Sequence, residues 1–307
     1  PSKRAMYAEL YDQQTVNGRF AQMDREVSLR FLMRINFLKR LESSVDSFRL
    51  TLEGIIKQIE TLIQQIDEGK GEAYGGIAAK INDENFEWES EWGDEEFVIG
   101  KKIKVHLADL DTQRWREDLS DDLEVLHRLW DKIVDIRGER DEKLNFLKTL
   151  IRNKQTKPIN ENNKKVLIFT AFADTAEYLY ETLGKPIKEK YGLNTALITG
   201  SKRTTTSENI PSSINTILSC FSPKSKNKDK VYPSIKEEVD ILIATDCISE
   251  GQNLQDCDFM VNFDIHWNPV RIIQRFGRID RIGSQNSSIT MVNFWPDTSL
   301  DNYINLR

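Results

Sequence analysis

Five short apolar runs in the second half of the chain constrain its fold more than any other feature. They occupy residues 165–170, 194–200, 240–245, 259–264 and 288–294. Tracts of helical character lie between them, near Asp174, from Pro211 to Phe221 and from Val270 to Ile282. A strand that is apolar at successive positions must be covered on both faces, and alternating strands and helices achieve this with a parallel sheet. We therefore predict an α/β domain over residues 151–307, with helices on both faces of the sheet.

The first half of the chain has a different pattern. Apolar residues recur at intervals of three and four over residues 26–67 and again over residues 110–152. We predict two long helices folded back as an antiparallel hairpin, the first about 60 Å long if it is unbroken. An irregular, acidic insertion over residues 69–110 joins them. Residues 1–150 are thus expected to be a helical region.

Two interpretations of this helical region remain open. It can be a packing brace with no chemistry of its own. Alternatively, four basic residues of the first helix contact nucleic acid: Arg30, Arg34, Lys39 and Arg40.

Composition narrows the class of protein. The 307 residues carry a net charge of −6, but the acid crowds residues 83–96, so the average does not exclude a nucleic-acid partner. No apolar run is long enough to cross a bilayer and no secretory signal is seen, which predicts a cytoplasmic protein with no membrane partner. Three cysteines without metal-ligand spacing predict reduced thiols and no metal site. The chain starts at Pro1 and stops within a helical pattern, as expected of part of a longer polypeptide.

Ligands of an open parallel sheet meet the loops that leave the carboxyl ends of its strands. This rule selects five regions: residues 170–175, 200–204, 245–255, 264–269 and those after 294. Residues 200–204 lack the Gly-Lys-Ser/Thr order of a nucleotide-binding P-loop, and their small and basic side chains suit a polynucleotide backbone better. In residues 170–175, Asp174 is predicted to cap the following helix, with Glu177 as its capping-box partner.

A cluster of lysines lies elsewhere. It comprises Lys224, Lys226, Lys228 and Lys230. These residues precede a strand and so belong to the opposite edge of the sheet. We expect a solvated, flexible loop there.

The strongest functional signal is a pair of arginines in residues 274–283. Arg278 and Arg281 are three residues apart and project from one side of a helix or tight turn. Two guanidinium groups held together suit a phosphoryl group in transfer, because negative charge builds on its oxygens. Such a pair alone is usually a partner for surface salt bridges. Its weight comes from the polar motifs at residues 245–246 and 249–254 that precede it.

The order of these motifs resembles the second RecA-like lobe of superfamily-two helicases. The resemblance covers residues 141–296 and is carried by four stretches: residues 166–170, residues 243–246 with 250–254, residues 263–269 and residues 274–283. Residues 267–269 and 278–283 are similar to the Swi/Snf-type branch, near the bacterial RNA-polymerase-associated translocases. Glu250 and Ser284 depart from the usual Swi/Snf-type pattern. Residues 38–44 resemble, more loosely, helical segments that precede this lobe in bacterial relatives.

The resemblance implies roles for individual residues. Arg278 and Arg281 would be arginine fingers for the γ-phosphate of ATP, with Gln274 orienting that contact. The ATP and its magnesium would be held by an N-terminal RecA-like lobe of the same polypeptide. Three residues would lie on the nucleotide side: Glu250, Gly251 and Asn253. Six would contact the nucleic-acid backbone: Thr170, Gly200, Ser201, Lys202, Thr245 and Trp267.

The expected function is the C-terminal lobe of an ATP-dependent DNA translocase or helicase acting on double-stranded DNA. The 307 residues contain no P-loop sequence and no acidic magnesium-binding motif, so this chain alone is expected to be inactive as an ATPase. Two alternatives remain open: a lobe that acts on RNA, and a non-catalytic module that recruits another protein.

Overall fold

The computed structural model describes residues 13–15, 18–20, 22–68, 72–74, 104–106, 111–248, 252–265 and 268–295. These residues form two compact units. The first contains residues up to 38 together with residues 48–135, and the second contains residues 39–47 together with residues from 136 onward.

The first unit is built mainly of helices. Its elements are β1 (Gln13–Thr15), β2 (Gly18–Phe20), α1 (Gln22–Ser43), α2 (Val45–Asp67), β3 (Glu72–Tyr74), β4 (Lys104–His106) and α3 (Thr112–Ile133). The strands pair as two antiparallel hairpins, β1 with β2 and β3 with β4. α1 begins in this unit and ends in the second.

Helices α2 and α3 form an antiparallel hairpin as predicted, but the second helix, expected over residues 110–152, ends at Ile133. Ile55 and Ile59 of α2 are buried against Leu119 of α3. Arg116, near the start of α3, pairs with Asp67 at the end of α2, with 2.6 Å between Nε and Oδ1. Because the end of one helix lies beside the start of the other, the two run in opposite directions.

The prediction of a single helix over residues 26–67 is wrong, because the helix is interrupted at Ser44. α1 ends at Ser43, and the Ser44 hydroxyl accepts a hydrogen bond from the Ser47 backbone N–H at 3.0 Å. This is the contact of an N-cap residue, and it starts α2 as a separate helix at Val45.

The second unit contains the predicted sheet. Its elements are α4 (Glu142–Thr156), β5 (Val166–Phe169), α5 (Ala173–Tyr191), β6 (Thr195–Ile198), β7 (Arg203–Thr205), α6 (Ile214–Phe221), α7 (Lys228–Val231), β8 (Ile241–Ala244), β9 (Phe259–Asn262), α8 (Pro269–Phe276) and β10 (Thr290–Asn293). The six strands lie in the order β10-β9-β5-β8-β6-β7. All neighbouring strands are parallel except β7, which runs antiparallel to β6. The predicted α/β fold class is confirmed, and β7 is an addition.

Alternating residues of each strand enter two separate cores. On one face, Leu167 and Phe169 of β5 pack with the apolar residues of α6. On the other face, Val166 and Ile168 pack with α4 and α5. Covering both faces removes the usual alternation of apolar and polar residues, which is why β5 is apolar at every position.

The lysine-rich loop is not uniformly solvated as expected. Lys228 is buried, and its ammonium donates to the Lys236 carbonyl. Lys226 donates to the Gln252 side chain at 2.8 Å, and burial lowers its pKa. The backbone N–H of Lys224 donates to the Asp256 carboxylate at 2.6 Å. The loop is therefore held against the segment that leads into β9.

Within the described residues, no helix is both long and apolar enough to pass through a lipid bilayer.

A buried ion pair joins α4 to the amino end of β9. Lys154 and Asp258 are fully buried, with 2.5 Å between Nζ and Oδ1, and Asn160 donates to the other carboxylate oxygen at 2.7 Å. We expect Lys154→Met to lower the free energy of unfolding by roughly 3–5 kcal/mol, because it strands a buried carboxylate. Urea denaturation followed by circular dichroism measures this loss. Arg152→Met, an exposed change on the same helix, is the control, and equal losses in both variants would contradict the prediction.

Candidate nucleotide and nucleic-acid site

The carboxyl ends of the parallel strands meet at one edge of the sheet, here called the carboxyl edge. From β5 the chain passes across β8 to β6 on one side, and from β9 it passes to β10 on the other side. Connections that leave in opposite directions open a crevice between adjacent strands, which is the usual ligand position in such sheets. In this protein the crevice lies between β5 and β9.

Asp264 occupies this crevice. Its carboxylate accepts hydrogen bonds from the Thr170 hydroxyl and the Ala171 backbone N–H, both at 2.6 Å. A third donor is the hydroxyl of Ser43, also at 2.6 Å. Asp264, Thr170 and Ser43 are all buried, so the charge of the carboxylate is balanced by these donors rather than by water.

The hydroxyls around Asp264 form a directed chain. Since the Ser43 hydroxyl donates its one proton to Asp264, the Thr175 hydroxyl at 2.8 Å must donate to Ser43. The Ser44 hydroxyl, 3.1 Å from Thr175, must then donate to Thr175. Each hydroxyl therefore has a defined direction of donation.

The segment that enters the crevice is residues 39–47, which we call the joint segment because it contains the break between α1 and α2. Arg40 pairs with Asp174 at 2.6 Å and lies over the Phe172 ring, 5.0 Å from its centroid. Lys143 of α4 donates to the carbonyls of Glu42 and Ser43 at 2.6 and 2.9 Å. A cation at these carbonyls satisfies the end of α1 and opposes the negative end of its dipole.

The joint segment corrects three expectations. The Thr170 hydroxyl is buried and bonded to Asp264, which argues against its predicted contact with nucleic acid. Arg40 is buried and paired with Asp174, which argues against its predicted contact with nucleic acid as well. Asp174 does not cap α5: the helix begins at Ala173 with Phe172 in the cap position, and Asp174 pairs with Arg40 instead.

The turn between β6 and β7 is exposed at the carboxyl edge. Thr199 closes it by donating its N–H to the Lys202 carbonyl at 2.8 Å, while its hydroxyl accepts from the Lys202 N–H at 2.9 Å. Gly200, Ser201 and Lys202 project into solvent. The Lys202 ammonium pairs with Glu177, and this hydrogen bond raises its pKa. The turn therefore presents small residues and a cation to solvent, and its contact with a nucleic-acid backbone stays a prediction.

Thr245, in contrast, is placed inside the protein. It follows β8, its backbone N–H donates to the Ile198 carbonyl at 3.2 Å, and its side chain is buried. Its hydroxyl has no hydrogen-bond partner among the described residues. This burial argues against a direct contact with nucleic acid in the described state.

Helix α8 is shorter than predicted. Asn268 caps it by accepting from the Val270 N–H at 3.0 Å, and Pro269 takes the first helical position. The helix ends at Phe276, and residues 277–284 form a succession of turns in which Gly283 adopts a φ of +93°. Arg278 and Arg281 thus lie in these turns, not on the helix expected over residues 270–282.

The two arginines differ in environment. Arg281 and Gln274 are exposed, and no hydrogen bond or ion pair of either side chain is found within the described part of the chain. Arg278 is half-buried, and its carbonyl accepts from the Leu254 N–H at 3.0 Å. This bond places Arg278 beside Asn253, whose side chain accepts from the Gln255 N–H at 3.4 Å. Of the predicted site, the structure therefore brings Arg278 and Asn253 together.

Three predicted site residues lie outside the described part of the chain: Glu250, Gly251 and Trp267. Their proposed roles remain predictions. Among the residues that are described, no group of His, Cys, Asp and Glu side chains is arranged to hold a metal ion.

Arg275 is a site residue to which the sequence assigned no role. It is fully buried and pairs with Asp246 through two contacts, Nε to Oδ1 at 2.6 Å and Nη2 to Oδ2 at 2.5 Å. Both residues belong to the motifs that carry the resemblance. The pair could have been predicted from the opposite charges of Asp246 and Arg275 in these two motifs. Either residue alone is typical of a charged residue on the protein surface.

Glu42 of the joint segment supplies a pH test of the crevice. Burial raises its pKa to about 7, and the negative charge of Asp264 adds to this, while Lys143 and Lys39 oppose it. Between pH 4.5 and pH 7 the folded protein then holds a proton that the unfolded chain has released. The free energy of unfolding should therefore fall as pH rises through this window and level off above it.

We expect Glu42→Gln to remove this dependence and to stabilise the protein at pH 8 by on the order of 2 kcal/mol. Urea denaturation at pH 5 and pH 8 measures both effects. Glu189→Gln, an exposed change on α5, is the matched control. A pH dependence of Glu42→Gln equal to that of the unmodified protein would contradict the prediction.

The chain is similar to several known proteins. Residues 142–283 match the family model described as the helicase conserved C-terminal domain. The chain is 44% identical over 62 residues to the uncharacterized ATP-dependent helicase YqhH of Bacillus subtilis, which is 20% of this chain and 11% of that protein. It is 35% identical over 68 residues to the RNA polymerase-associated protein RapA of Pectobacterium atrosepticum, which is 22% of this chain and 7% of that protein. The matched stretches thus span about a tenth or less of each relative.

A solved structure of the C-terminal part of the Fun30 ATPase domain is similar over 64% of this chain and 57% of that chain. The identity is 16% and the TM-score is 0.37. The match to the family model runs from α4 to the turns that carry Arg278 and Arg281. Residues 142–283 thus match a helicase C-terminal domain, which is the class that their motifs predict.

Proposed function

We propose that this chain forms the C-terminal lobe of an ATP-dependent, Swi/Snf-type DNA translocase and supplies arginine fingers to ATP held on another lobe of the same polypeptide. One observation carries the proposal. The turns after α8 expose Arg281 to solvent while the bond from Leu254 to Arg278 holds the same turns against the stretch that contains Asn253.

The exposure of Arg281 distinguishes it from other cations of this unit that form ion pairs inside the protein. Arg40, Lys154 and Arg275 are buried and paired with carboxylates of the protein. Arg281 has no such carboxylate among the described residues, so its charge is available to an anion that arrives from outside. A γ-phosphoryl group in transfer is an anion of this kind, since charge accumulates on its oxygens.

The surface next to Arg281 is suited to contact with another domain. Val270 and Ile273 are 51% and 69% exposed, and Ile282 is 105% exposed. Val270, Ile273 and Gln274 share one face of α8 because they are three and four residues apart. Large apolar side chains grouped in this way favour burial against a partner. An ATP-bearing lobe that closes on this face would cover them and bring its nucleotide to the arginines.

The exposed turn at Gly200, Ser201 and Lys202 supports the nucleic-acid part of the proposal. Small residues permit close approach of a polymer backbone, and Lys202 supplies charge to a phosphate. Such contacts carry no information on base sequence, as expected of an enzyme that moves along DNA. Hydrolysis would reopen the cleft between the lobes and shift the contact along one strand. In this scheme the magnesium belongs to the ATP-bearing lobe, and the complete protein acts in the cytoplasm.

Arg281→Ala tests the arginine-finger role in the complete protein. We expect kcat for DNA-stimulated ATP hydrolysis to fall by about a thousandfold or more, because the guanidinium acts on charge that develops in the transition state. Arg271→Ala, on the preceding helix α8, is the control and should retain activity. Full ATPase activity in Arg281→Ala would reject the motor function and favour the non-catalytic interaction module.

Lys202→Ala tests the backbone contact. We expect weaker binding of duplex DNA irrespective of sequence, and a salt dependence of log affinity reduced by about one unit of slope. Fluorescence anisotropy at several salt concentrations measures both. Lys190→Ala, an exposed lysine at the far end of α5, is the control. Unchanged binding in Lys202→Ala would exclude this contact, and stimulation of the ATPase by single-stranded RNA alone would replace DNA by RNA as the substrate.

A further inference from the structure

The Arg275–Asp246 pair joins the segment after β8 to the last turn of α8. Asp246 lies two residues after the end of β8, and Arg275 is the penultimate residue of α8. The side chain of Arg275 is 0% exposed and that of Asp246 is 11% exposed. A two-point contact between a guanidinium and a carboxylate fixes both the distance and the relative orientation of the groups, which a single ammonium cannot do.

The surroundings of Arg275 extend this contact across the carboxyl edge of the sheet. Its guanidinium lies over the Phe169 ring of β5, 5.1 Å from the centroid. Nη1 donates to Asn262 Oδ1 at 3.0 Å, and Asn262 in turn donates to Asn293 at 2.7 Å. Arg275 therefore contacts β5 and β9 directly and reaches β10 through Asn262. Its position is determined by the sheet.

Hydrogen bonds connect Arg275 to the turns that contain the predicted arginine fingers. The Arg278 N–H donates to the Arg275 carbonyl at 3.0 Å, so the first finger is one turn away from the ion pair. The Leu254 N–H donates to the Arg278 carbonyl at 3.0 Å, and the Ser284 hydroxyl donates to the Gln255 carbonyl at 3.2 Å. The segment after β8 and the turns after α8 are thus tied at both ends.

Stability alone does not explain a charged pair in this place. A buried ion pair loses the hydration of both charges, and apolar side chains of similar size often fill the same space with equal or better stability. An apolar pair would not fix the rotation of the last turn of α8, because dispersion contacts have no preferred direction. What the ion pair adds is orientation.

We propose that Arg275 and Asp246 are positioning residues, which hold Asn253 and the two arginine fingers as a single body so that the nucleotide meets all three in register. This inference depends on the proposed function, in which Arg278 and Arg281 act on ATP. Neither Arg275 nor Asp246 touches the nucleotide itself. Their loss should therefore affect the reaction through the placement of Arg278 and Arg281.

Placement predicts a particular kinetic signature. The fingers act on charge that builds in the transition state, whereas the other lobe holds ATP in the ground state. Misplacement should lower kcat for ATP hydrolysis with little change in KM for ATP. A displacement of about 1 Å in catalytic groups costs up to about a hundredfold in rate, so we expect losses between about tenfold and about a hundredfold.

The experiment compares four variants of the complete protein: Arg275→Lys, Arg275→Met, Asp246→Asn, and Arg275→Met combined with Asp246→Asn. Arg275→Met alone should lower the melting temperature, because it leaves Asp246 without its partner. The double variant should recover most of that loss, since neither charge remains. We expect kcat to stay low in the double variant and in Arg275→Lys, which keeps the charge but not the two-point contact. Arg271→Met on α8 is the control and should keep kcat.

Hydrogen exchange gives a readout that is independent of activity. We expect the Leu254 amide, which donates to Arg278, to exchange faster in Arg275→Lys and in the double variant than in Arg271→Met. Recovery of kcat together with melting temperature in the double variant would overturn the proposal, because the pair would then serve stability alone. Normal kcat and normal Leu254 exchange in Arg275→Lys would overturn it as well.

Arg281→Ala in the same assay separates the two proposals. If Arg281→Ala is inactive while the double variant is fully active, the arginine fingers stand and the positioning role fails. If Arg281→Ala is fully active, the proposed function itself fails.

Discussion

Because both faces of the sheet are covered, the buried polar groups at the ends of its strands depend on other groups of the protein for hydrogen bonds. Thr170 directly follows β5 and Asp264 lies two residues after β9, and both are nearly inaccessible to water. Unpaired groups there would cost several kcal/mol each, because transfer from water to an apolar surrounding is expensive. Two clusters satisfy this demand, one centred on Asp264 and the other on Arg275. Each brings a distant segment to the carboxyl edge.

The Asp264 cluster brings in the joint segment, residues 39–47. Ser43 completes the donors to the carboxylate, Arg40 pairs with Asp174, and Lys143 holds the carbonyls of Glu42 and Ser43. The crevice that usually receives a ligand in a sheet of this type is therefore filled by the protein's own chain. This moves the expected nucleic-acid contact away from Thr170 and towards the exposed turn at residues 200–202.

The Arg275 cluster brings in the turns that carry Arg278 and Arg281. It shares β9 with the first cluster, since Asn262 contacts Arg275 and Asp264 follows two residues later. The same edge thus anchors both the break between α1 and α2 and the proposed finger turns. Arg275 and Arg281 lie six residues apart and differ in environment: Arg275 is buried and paired with Asp246, whereas Arg281 is exposed.

The sequence by itself determined the parallel strands, the α/β class, the α2–α3 hairpin and the arginine motif, because these depend on apolar periodicity and on residues close along the chain. It did not determine the interruption of the helix at Ser44, because a serine can lie within a continuous helix or can cap the start of a new one. Nor did it determine which polar and charged side chains face inward, because their partners are distant along the chain. Ser43 lies 221 residues from Asp264, Arg40 lies 134 residues from Asp174, and Asp246 lies 29 residues from Arg275. Only the tertiary structure brings such groups together. Whether a side chain gains a buried partner or stays in water depends on which segments pack at the carboxyl edge of the sheet.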